Sequence, residues 1–260
     1  MNRTIALLKK ELLEQWRTNK ILILVLGFLF SGLQGPVVTK LLPELIKNSS
    51  SSMQGIVITV PEQTALDAIL SYVAQMSVFP SLILILVVMG TLAGERERGT
   101  QVFVLTKPVT RSQFILAKYL AFWGIVVGAI ILTAAASAYY TLLLFSSSFN
   151  FGTFLVLNLG VISYSSYILA LVVLCSSLFK TGVAAGGVSF VSFLAIDNLV
   201  KFIPGWTKIF PQAIFNTGTS RQVMTGATGP GELAIPVLVG LAMAALLLAI
   251  ACITYEKREM

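Results

Sequence analysis

Two long stretches without any charged residue constrain this chain more than any other feature. No Asp, Glu, Lys or Arg occurs in the 27 residues from Ala68 to Gly94, or in the 61 residues from Tyr119 to Phe179. A helix needs roughly 20 apolar residues to cross a hydrocarbon core of about 30 Å. The first stretch is therefore long enough for one crossing and the second for two. A short charged island, Glu95–Lys118, separates them.

The low charge content excludes an ordinary soluble enzyme. Charged residues make up 11% of the chain and hydrophobic residues 56%, whereas a soluble domain carries about 25% charged residues. The net charge of +7 could suggest a nucleic-acid partner. Because the charges flank apolar runs instead of lining one face, we expect the lipid bilayer as the partner and no nucleic acid.

The apolar runs predict an all-α polytopic membrane protein with six transmembrane helices, folded as a single domain over residues 1–260. The turn-rich segment Phe145–Asn150 divides the longer charge-free stretch into two spans. The predicted spans are 21–39, 72–93, two within 119–179, 181–202 and 233–254. Two outer loops are left over, at 40–71 and 203–232. The first apolar run is longer than a signal-peptide core, so we expect an uncleaved first span.

Residues 1–20 have the pattern of an amphipathic helix that lies in the membrane interface. The apolar stripe has spacings of three, four and four residues, and basic side chains occupy much of the remaining surface. The stripe consists of Ile5, Leu8, Leu12 and Trp16. The alternative is a solvated stub that continues into the first span.

The distribution of Lys and Arg predicts the orientation. With the N-terminus inside, thirteen of the 18 basic residues fall on the inner side and five on the outer side. This bias follows the positive-inside rule. It places both termini and the charged island in the cytoplasm, in a multi-pass protein of the cell inner (plasma) membrane.

The charged island contains features of a docking element. Thr110 and Gln113 have the spacing of a capping box, which predicts a helix that starts there and continues into the third span. Before Pro108, the short apolar segment Gln101–Thr106 needs cover from lipid headgroups or a partner protein. The alternative is a basic loop that only sets the topology.

The island also carries a family resemblance. It reads Glu-Arg-Glu-Arg-Gly-Thr over 95–100, then Leu-x-x-Pro-Val-x-Arg over 105–111, then Lys118. This pattern resembles the inner loop of ABC transporter permeases of the type-2 exporter class. The Phe-Pro-Gln-Ala-Ile-Phe sequence over 210–215 is similar to the proline-bearing motif that such permeases carry between spans five and six. The N-terminal helix and the six spans agree with the family layout.

The resemblance implies that residues 95–113 form a cytoplasmic coupling loop, which docks on a separate ATPase subunit. Pro108 and Arg111 would fix the exit toward the third span. The residues that would form or brace the contact are Glu95, Glu97, Arg98, Gly99, Thr100, Val102, Phe103, Val104 and Leu105. We expect Gly99 to let the chain bend between the second span and this segment.

The resemblance also implies the partners and an outer gate. Two ABC ATPase subunits and a second permease protomer, identical or related, would complete the transporter. The interrupted apolar segment 203–232 favours a re-entrant or interfacial pair of short helices. In the family this element helps to close the outer exit, which makes Phe210, Pro211 and Phe215 the candidate gate residues.

No feature of the chain predicts catalysis or a bound cofactor. A P-loop requires Gly-x-x-x-x-Gly-Lys followed by Ser or Thr, and neither Gly-rich stretch, 182–187 or 226–231, contains that Lys. The chain has no His and no Cys-x-x-Cys, so metal ligation is not expected. We therefore predict a non-catalytic subunit whose partner ATPase binds the ATP and Mg²⁺.

An ion pair and two glycine motifs each allow two interpretations. Asp197 and Lys201 form an i,i+4 pair about 25 Å along the fifth helix from Lys180, near the outer interface. A structural ion pair is favoured there over a substrate site. The Gly-x-x-x-Gly motifs over 124–128 and 182–186 allow close helix packing, and internal packing is favoured over dimerisation.

The predicted function is the permease subunit of an ATP-driven exporter. A second possibility is a membrane subunit that transmits conformational work to an outer partner without passing a solute. A third is an ion-coupled secondary carrier. Because such carriers place ionisable groups at mid-membrane, the scarcity of charge within the spans argues against the third.

Overall fold

Every element in the described part of the chain is a helix, which confirms the all-α prediction. The computed structural model describes residues 3–50, 63–99, 110–145, 149–203, 205–229 and 231–257. The helices are α1 Arg3–Arg17, α2 Lys20–Ser50, α3 Ala65–Gln75, α4 Val78–Val88, α5 Ala93–Glu97, α6 Arg111–Leu144, α7 Phe151–Leu178, α8 Gly182–Phe202, α9 Trp206–Ile209, a 3-10 helix Pro211–Phe215, α10 Thr217–Met224 and α11 Gly231–Glu256.

Six helical stretches within the described residues are long and apolar enough to cross a membrane, as predicted. They are Lys20–Pro43, Ala65–Glu97, Arg111–Leu144, Phe151–Leu178, Gly182–Phe202 and Gly231–Glu256. Side-chain contacts at both ends show that consecutive stretches alternate in direction. Arg96 meets Phe179 at the end of the bundle that carries α1 and α5, which we call the α1 end. Asp67 meets Arg221 at the opposite end.

The predicted loop 40–71 is wrong at both of its ends. Helix α2 does not stop near Thr39 but continues to Ser50, through two internal prolines. Helix α3 starts at Ala65, seven residues before the predicted start of the second span. The length of an apolar run predicts only the part of a helix that lies within the hydrocarbon core. The helix itself can extend beyond that core at either end. A capping box in which Thr64 and Asp67 bond each other's backbone N–H fixes the earlier start.

The second crossing is broken twice. Helix α3 ends at Gln75 and α4 begins at Val78, just ahead of Pro80, which lacks the N–H that a continuous helix would use. A second interruption separates α4 from α5, between Val88 and Ala93. The α4–α5 break lies at the α1 end, next to the charged island.

The predicted boundaries of the next two spans are confirmed. The capping box starts α6, since the Thr110 hydroxyl accepts from the Gln113 N–H and the Gln113 side chain accepts from the Thr110 N–H. Helix α6 ends at Leu144 and α7 starts after Asn150, whose side chain accepts from the Thr153 N–H at 3.2 Å. Both caps satisfy backbone donors that a helix start leaves open.

Helix α7 is the centre of the bundle. In its most apolar 18-residue window 83% of the residues are buried, against 28% for α8 and 22% for α11. Helices α8 and α11 therefore present most of their surface outward, where a membrane protein meets lipid or another protomer. The core around α7 includes Tyr72, Phe122, Tyr164 and Phe193, each with at most 2% of its surface exposed.

The two Gly-x-x-x-Gly motifs behave differently. Gly182 approaches the backbone of Gly90, and Gly186 approaches Met89, so this motif packs α8 against the second crossing as predicted. A Cβ built on Gly124 or Gly128 has no described heavy atom within 4 Å. Within the described part of the structure this motif faces outward from α6, and its role in internal packing stays a prediction.

Short helical turns form the segment between α8 and α11. The sequence predicted a pair, and the described residues contain three: α9, the 3-10 helix and α10. A positive φ of 86° at Gly205 allows the turn that starts α9. The position of this segment relative to a membrane stays a prediction.

Candidate functional site

A buried lysine connects three helices at the α1 end. The Lys118 Nζ of α6 lies 2.9 Å from Glu11 Oε2 of α1 and 2.7 Å from Glu95 Oε1 of α5. The exposed fractions of the three side chains are 1%, 0% and 15%. The same ammonium lies 4.9 Å from the centre of the Phe114 ring. We call Glu11, Glu95 and Lys118 the triad. It joins the N-terminal helix and the third span to the first helical turn of the charged island.

The amphipathic helix α1 supplies the triad through its polar face. Leu7, Glu11 and Gln15 recur every four residues and are buried against the bundle. The predicted apolar stripe points the other way: Ile5 and Trp16 are 58% and 70% exposed, and Leu8 and Leu12 are half-buried. The helix therefore contacts the bundle through Leu7 and the polar residues Glu11 and Gln15, and leaves its apolar stripe available to lipid.

Additional charges surround the triad. Lys10 Nζ lies 3.0 Å from Glu11 Oε1 and 3.2 Å from Glu14 Oε2. Burial alone would raise the pKa of Glu14, but the nearby cations Lys118 and Lys10 outweigh it and hold that pKa below its usual value. Burial alone would lower the pKa of Lys10, but Glu11 and Glu14 outweigh it and raise that pKa. Both groups are therefore charged at neutral pH.

A small polar cavity lies beside the triad. Its volume is about 40 Å³, and its lining includes Glu14, Gln15, Lys20, Arg98 and the triad residues Glu95 and Lys118. A cavity needs roughly 10–15 Å³ of such space to hold one water molecule, so this cavity has room for water. Glu11 of the triad is fully buried, whereas Glu95 and Lys118 border a polar cavity that Arg98 of the island also lines.

Two arginines of the island cap the ends of neighbouring helices. The Arg96 guanidinium donates to the Phe179 carbonyl at 3.0 Å and lies over the Tyr255 ring. The Arg111 guanidinium donates to the Glu256 carbonyl at 3.1 Å. These carbonyls belong to the C-terminal ends of α7 and α11, where a cation is favourable. Both sides of the island are therefore anchored to the bundle.

A serine of α7 stabilises the break between α4 and α5. The Ser176 hydroxyl donates to the Met89 carbonyl at 2.9 Å and accepts from the N–H groups of Leu92 and Ala93, each at 3.0 Å. One side chain thus satisfies three backbone groups that the interrupted helix leaves open. Ser176 fixes where the second crossing ends and the island begins.

We expect Ser176→Ala to destabilise the protein, because two buried N–H groups and a carbonyl lose their partner. An unsatisfied buried group costs about 1–3 kcal/mol, so the melting temperature of the purified protein should fall. Ser189→Ala is the matched control, since the buried Ser189 hydroxyl donates to the Ala185 carbonyl of its own helix and hydrogen-bonds the Cys175 side chain, so its loss leaves no backbone N–H without a described partner. Equal melting temperatures for the two variants would contradict a special role of Ser176.

The predicted coupling residues fall into three groups. Glu95 and Arg111 have the buried or capping contacts given above. Glu97 and Arg98 are exposed, and Gly99 follows them with a φ of 68°, the left-handed conformation that glycine adopts easily. The remaining predicted residues lie outside the described part of the chain: Thr100, Val102, Phe103, Val104, Leu105 and Pro108.

The candidate gate residues at the opposite end are partly or fully buried. Pro211 packs against Gly240 of α11, where an added Cβ would lie 3.2 Å from its ring. Phe215 meets Tyr164 edge to face, with ring centres 4.7 Å apart. Phe210 stacks on Trp206 at 6.0 Å. These contacts tie the short helices to α7 and α11.

Sequence reasoning missed several residues of this site. It assigned Glu11, Arg96 and Ser176 no role, and it used Lys118 only as part of a motif. One signal was available: Lys118 lies within an apolar helix two turns after a capping box, and a charge in that position requires a partner. Its partners come from α1 and α5, which are distant in sequence, so the pattern alone does not identify them.

The described residues join three helices through a buried ion cluster at one end of a bundle of six long apolar helices. A family model described as "ABC-2 family transporter protein" matches residues 15–253. The chain therefore belongs to the ABC-2 family of transporter proteins, and the family resemblance of the charged island is confirmed.

The chain is also similar to a curated transmembrane protein. An uncharacterized transmembrane protein of Bacillus subtilis (strain 168), YxlG, is 26% identical over 217 residues. The match covers 82% of this chain and 83% of the relative. Together with the six apolar helices, these findings identify a multi-pass membrane protein, the permease subunit of an ABC transporter.

Proposed function

We propose that this chain is the membrane subunit of an ATP-driven exporter, which docks separate ATPase subunits through the loop 95–113 and moves substrate outward. The observation that carries the proposal is the buried triad of Glu11, Glu95 and Lys118. It fixes the base of the loop to two other helices, so that a push on the loop is passed to α1 and α6. A loop that only sets topology needs no such buried connection.

The remaining parts of the proposal follow from this arrangement. The α1 end faces the cytoplasm of the inner membrane, in agreement with the excess of basic residues there. Two ATPase subunits bind the ATP and Mg²⁺ and supply the hydrolysis. A second permease protomer, identical or related, packs beside this one. Outwardly directed apolar surface on α8 and α11 supports such a contact.

The mechanism is a transfer of displacement. When the ATPase subunits close, they move the docking segment, and Glu95 carries the movement to Lys118. Because Lys118 is rigidly paired within the bundle, α6 tilts together with the second crossing. The break near Ser176 gives the second crossing a point at which to bend without unfolding α4.

We expect charge placed on the apolar docking segment to abolish ATPase association. Phe103→Asp with Leu105→Asp would bury two carboxylates in the contact, which is costly without a cation to pair with them. The measurement is co-purification of a P-loop ATPase with the permease at a one-to-one ratio. Gln222→Asp is the control, since it adds a carboxylate to an exposed position at the opposite end.

Two outcomes distinguish the proposal from its alternatives. Loss of association in the double variant, with an unchanged elution profile and intact association in the control, supports the docking assignment. Normal association and normal ATP-dependent transport in vesicles by the double variant would remove the segment from the contact.

A further inference from the structure

A second cavity, lined by both polar and apolar groups, lies at the end of the bundle opposite to α1. It is a cavity of about 350 Å³ between the α3–α4 break, the last turns of α8 and the short helices that follow. Its lining includes Ser77, Asp197, Lys201, Gln212 and Phe215. Binding sites for small molecules have volumes of roughly 300–1,000 Å³, so this cavity has room for the head of an amphiphile.

Asp197 is the acidic group of this cavity, and its carboxylate is poorly satisfied. Its side chain is 20% exposed. Among the described residues no hydrogen bond reaches the carboxylate, and the Gln212 amide donates to the backbone carbonyl of Asp197 instead, at 3.0 Å. Partly buried carboxylates normally accept hydrogen bonds or pair closely with a cation.

Lys201 is a weak partner for this carboxylate. Its Nζ lies 3.9 Å from Asp197 Oδ2, outside hydrogen-bond distance, and its side chain is 60% exposed. An i,i+4 ion pair with an exposed lysine contributes little to stability. The lysine therefore balances the charge without filling the cavity, and a competing ammonium can displace it.

The rest of the lining also suits an organic cation. Ser77 and Gln212 supply neutral polar groups, and Phe215 supplies an aromatic ring that Tyr164 holds in an edge-to-face contact. Aromatic faces attract ammonium groups.

We propose that the cavity around Asp197 binds the protonated amine of an amphiphile whose apolar tail remains between the helices. The ammonium pairs with the Asp197 carboxylate in place of Lys201. Within the exporter proposed above, this assigns amine-bearing amphiphiles as the substrate class. The ammonium of a phosphatidylethanolamine headgroup has the same chemistry, and the experiment separates the two sources.

The test uses the purified full-length chain in nanodiscs of phosphatidylglycerol, without any ATPase. The probe is a dansylated alkylamine with a free primary amine, and its N-acetylated form is the neutral counterpart. We expect Asp197→Asn to weaken binding of the amine by about ten- to a hundredfold, the value of a charge-assisted contact. Lys201→Ala removes the competing cation and should tighten binding. Glu232→Gln, at an exposed acid of the same end, should change nothing.

Each result has a defined meaning. A loss specific to Asp197→Asn and absent for the acetylated probe supports the site. If added phosphatidylethanolamine displaces the probe, the site is assigned to the lipid headgroup. If the probe stays bound in the presence of this lipid, the site is assigned to a soluble amphiphile. Equal binding by the wild type and Asp197→Asn, or weaker binding by Lys201→Ala, overturns the proposal. Because no ATPase is present, failure of the docking assignment leaves this result unchanged.

Discussion

Replacing Lys118 by methionine is expected to cause the largest loss of stability of any single charge change in the described part of this chain. The variant leaves Glu11 fully buried and Glu95 largely buried, without the cation that lies within 3 Å of both. Removing one partner of a buried ion pair costs about 3–5 kcal/mol. Lys9→Met is the control, because an exposed lysine on α1 contributes little.

A triple variant separates the structural role of the triad from its role in coupling. Lys118→Met combined with Glu11→Leu and Glu95→Leu removes all three charges, and replacement of a buried ion cluster by hydrophobic residues of similar volume is often close to neutral for stability. We therefore expect the triple variant to recover most of the melting temperature that Lys118→Met loses. If the triad transmits displacement, transport stays low while the ATPase remains bound.

The melting temperature tests the burial of the triad, and the transport assay tests its role in coupling. An unchanged melting temperature for Lys118→Met means that the lysine is not buried between the two carboxylates. Full ATP-dependent transport by the triple variant, together with normal stability, means that the triad only stabilises the fold. Melting curves in detergent and transport by the permease–ATPase pair in vesicles are the assays.

The membrane architecture could be predicted from the sequence because its determinants are local. A bilayer requires continuous apolar helices, so the charge-free stretches alone lead to the six crossings. Helix starts were predictable where a side chain caps its own helix, as Thr110 and Gln113 do. Thr64 and Asp67 carry the same kind of signal, and this capping box starts α3 seven residues before the span that apolar length alone predicts.

The contacts that define the candidate site were not predictable from the sequence. Ser176 is 87 residues from Met89, whose carbonyl it bonds, and Lys118 is 107 residues from Glu11. A polar residue in an apolar helix predicts that a hydrogen-bond partner is needed but does not identify the partner. The partner depends on how the helices are arranged around α7. The sequence predicted the loop as a candidate, and the tertiary packing determines what anchors it.

The close approach of α2 and α3 at Gly35 leads to the second large prediction. A Cβ built at Gly35 would lie 2.5 Å from the backbone nitrogen of Tyr72 and 2.6 Å from its Cα. Backbone atoms cannot rotate away, so α2 and α3 must separate. That movement disturbs the buried Tyr72, whose hydroxyl donates to Asn158 Oδ1 at 2.6 Å.

We expect Gly35→Ala to lower the melting temperature, and Gly35→Val to lower it further. Overpacking in a core typically costs about 1–3 kcal/mol, and a backbone clash belongs at the upper end of that range. In an isolated helix, replacing glycine by alanine is favourable by about 1 kcal/mol. Gly124→Ala is therefore an informative control: its Cβ meets no described atom within 4 Å, so this variant should be neutral or slightly stabilised.

The sign of the change in melting temperature shows whether close helix packing or helix propensity dominates at Gly35. If α2 and α3 are in contact as described, Gly35→Ala and Gly124→Ala shift the melting temperature in opposite directions. If both variants are stabilised, helix propensity dominates at both positions and the close packing of α2 on α3 is wrong. Because the substitution is identical and both glycines lie in membrane helices, the difference between the two shifts isolates the contact with Tyr72.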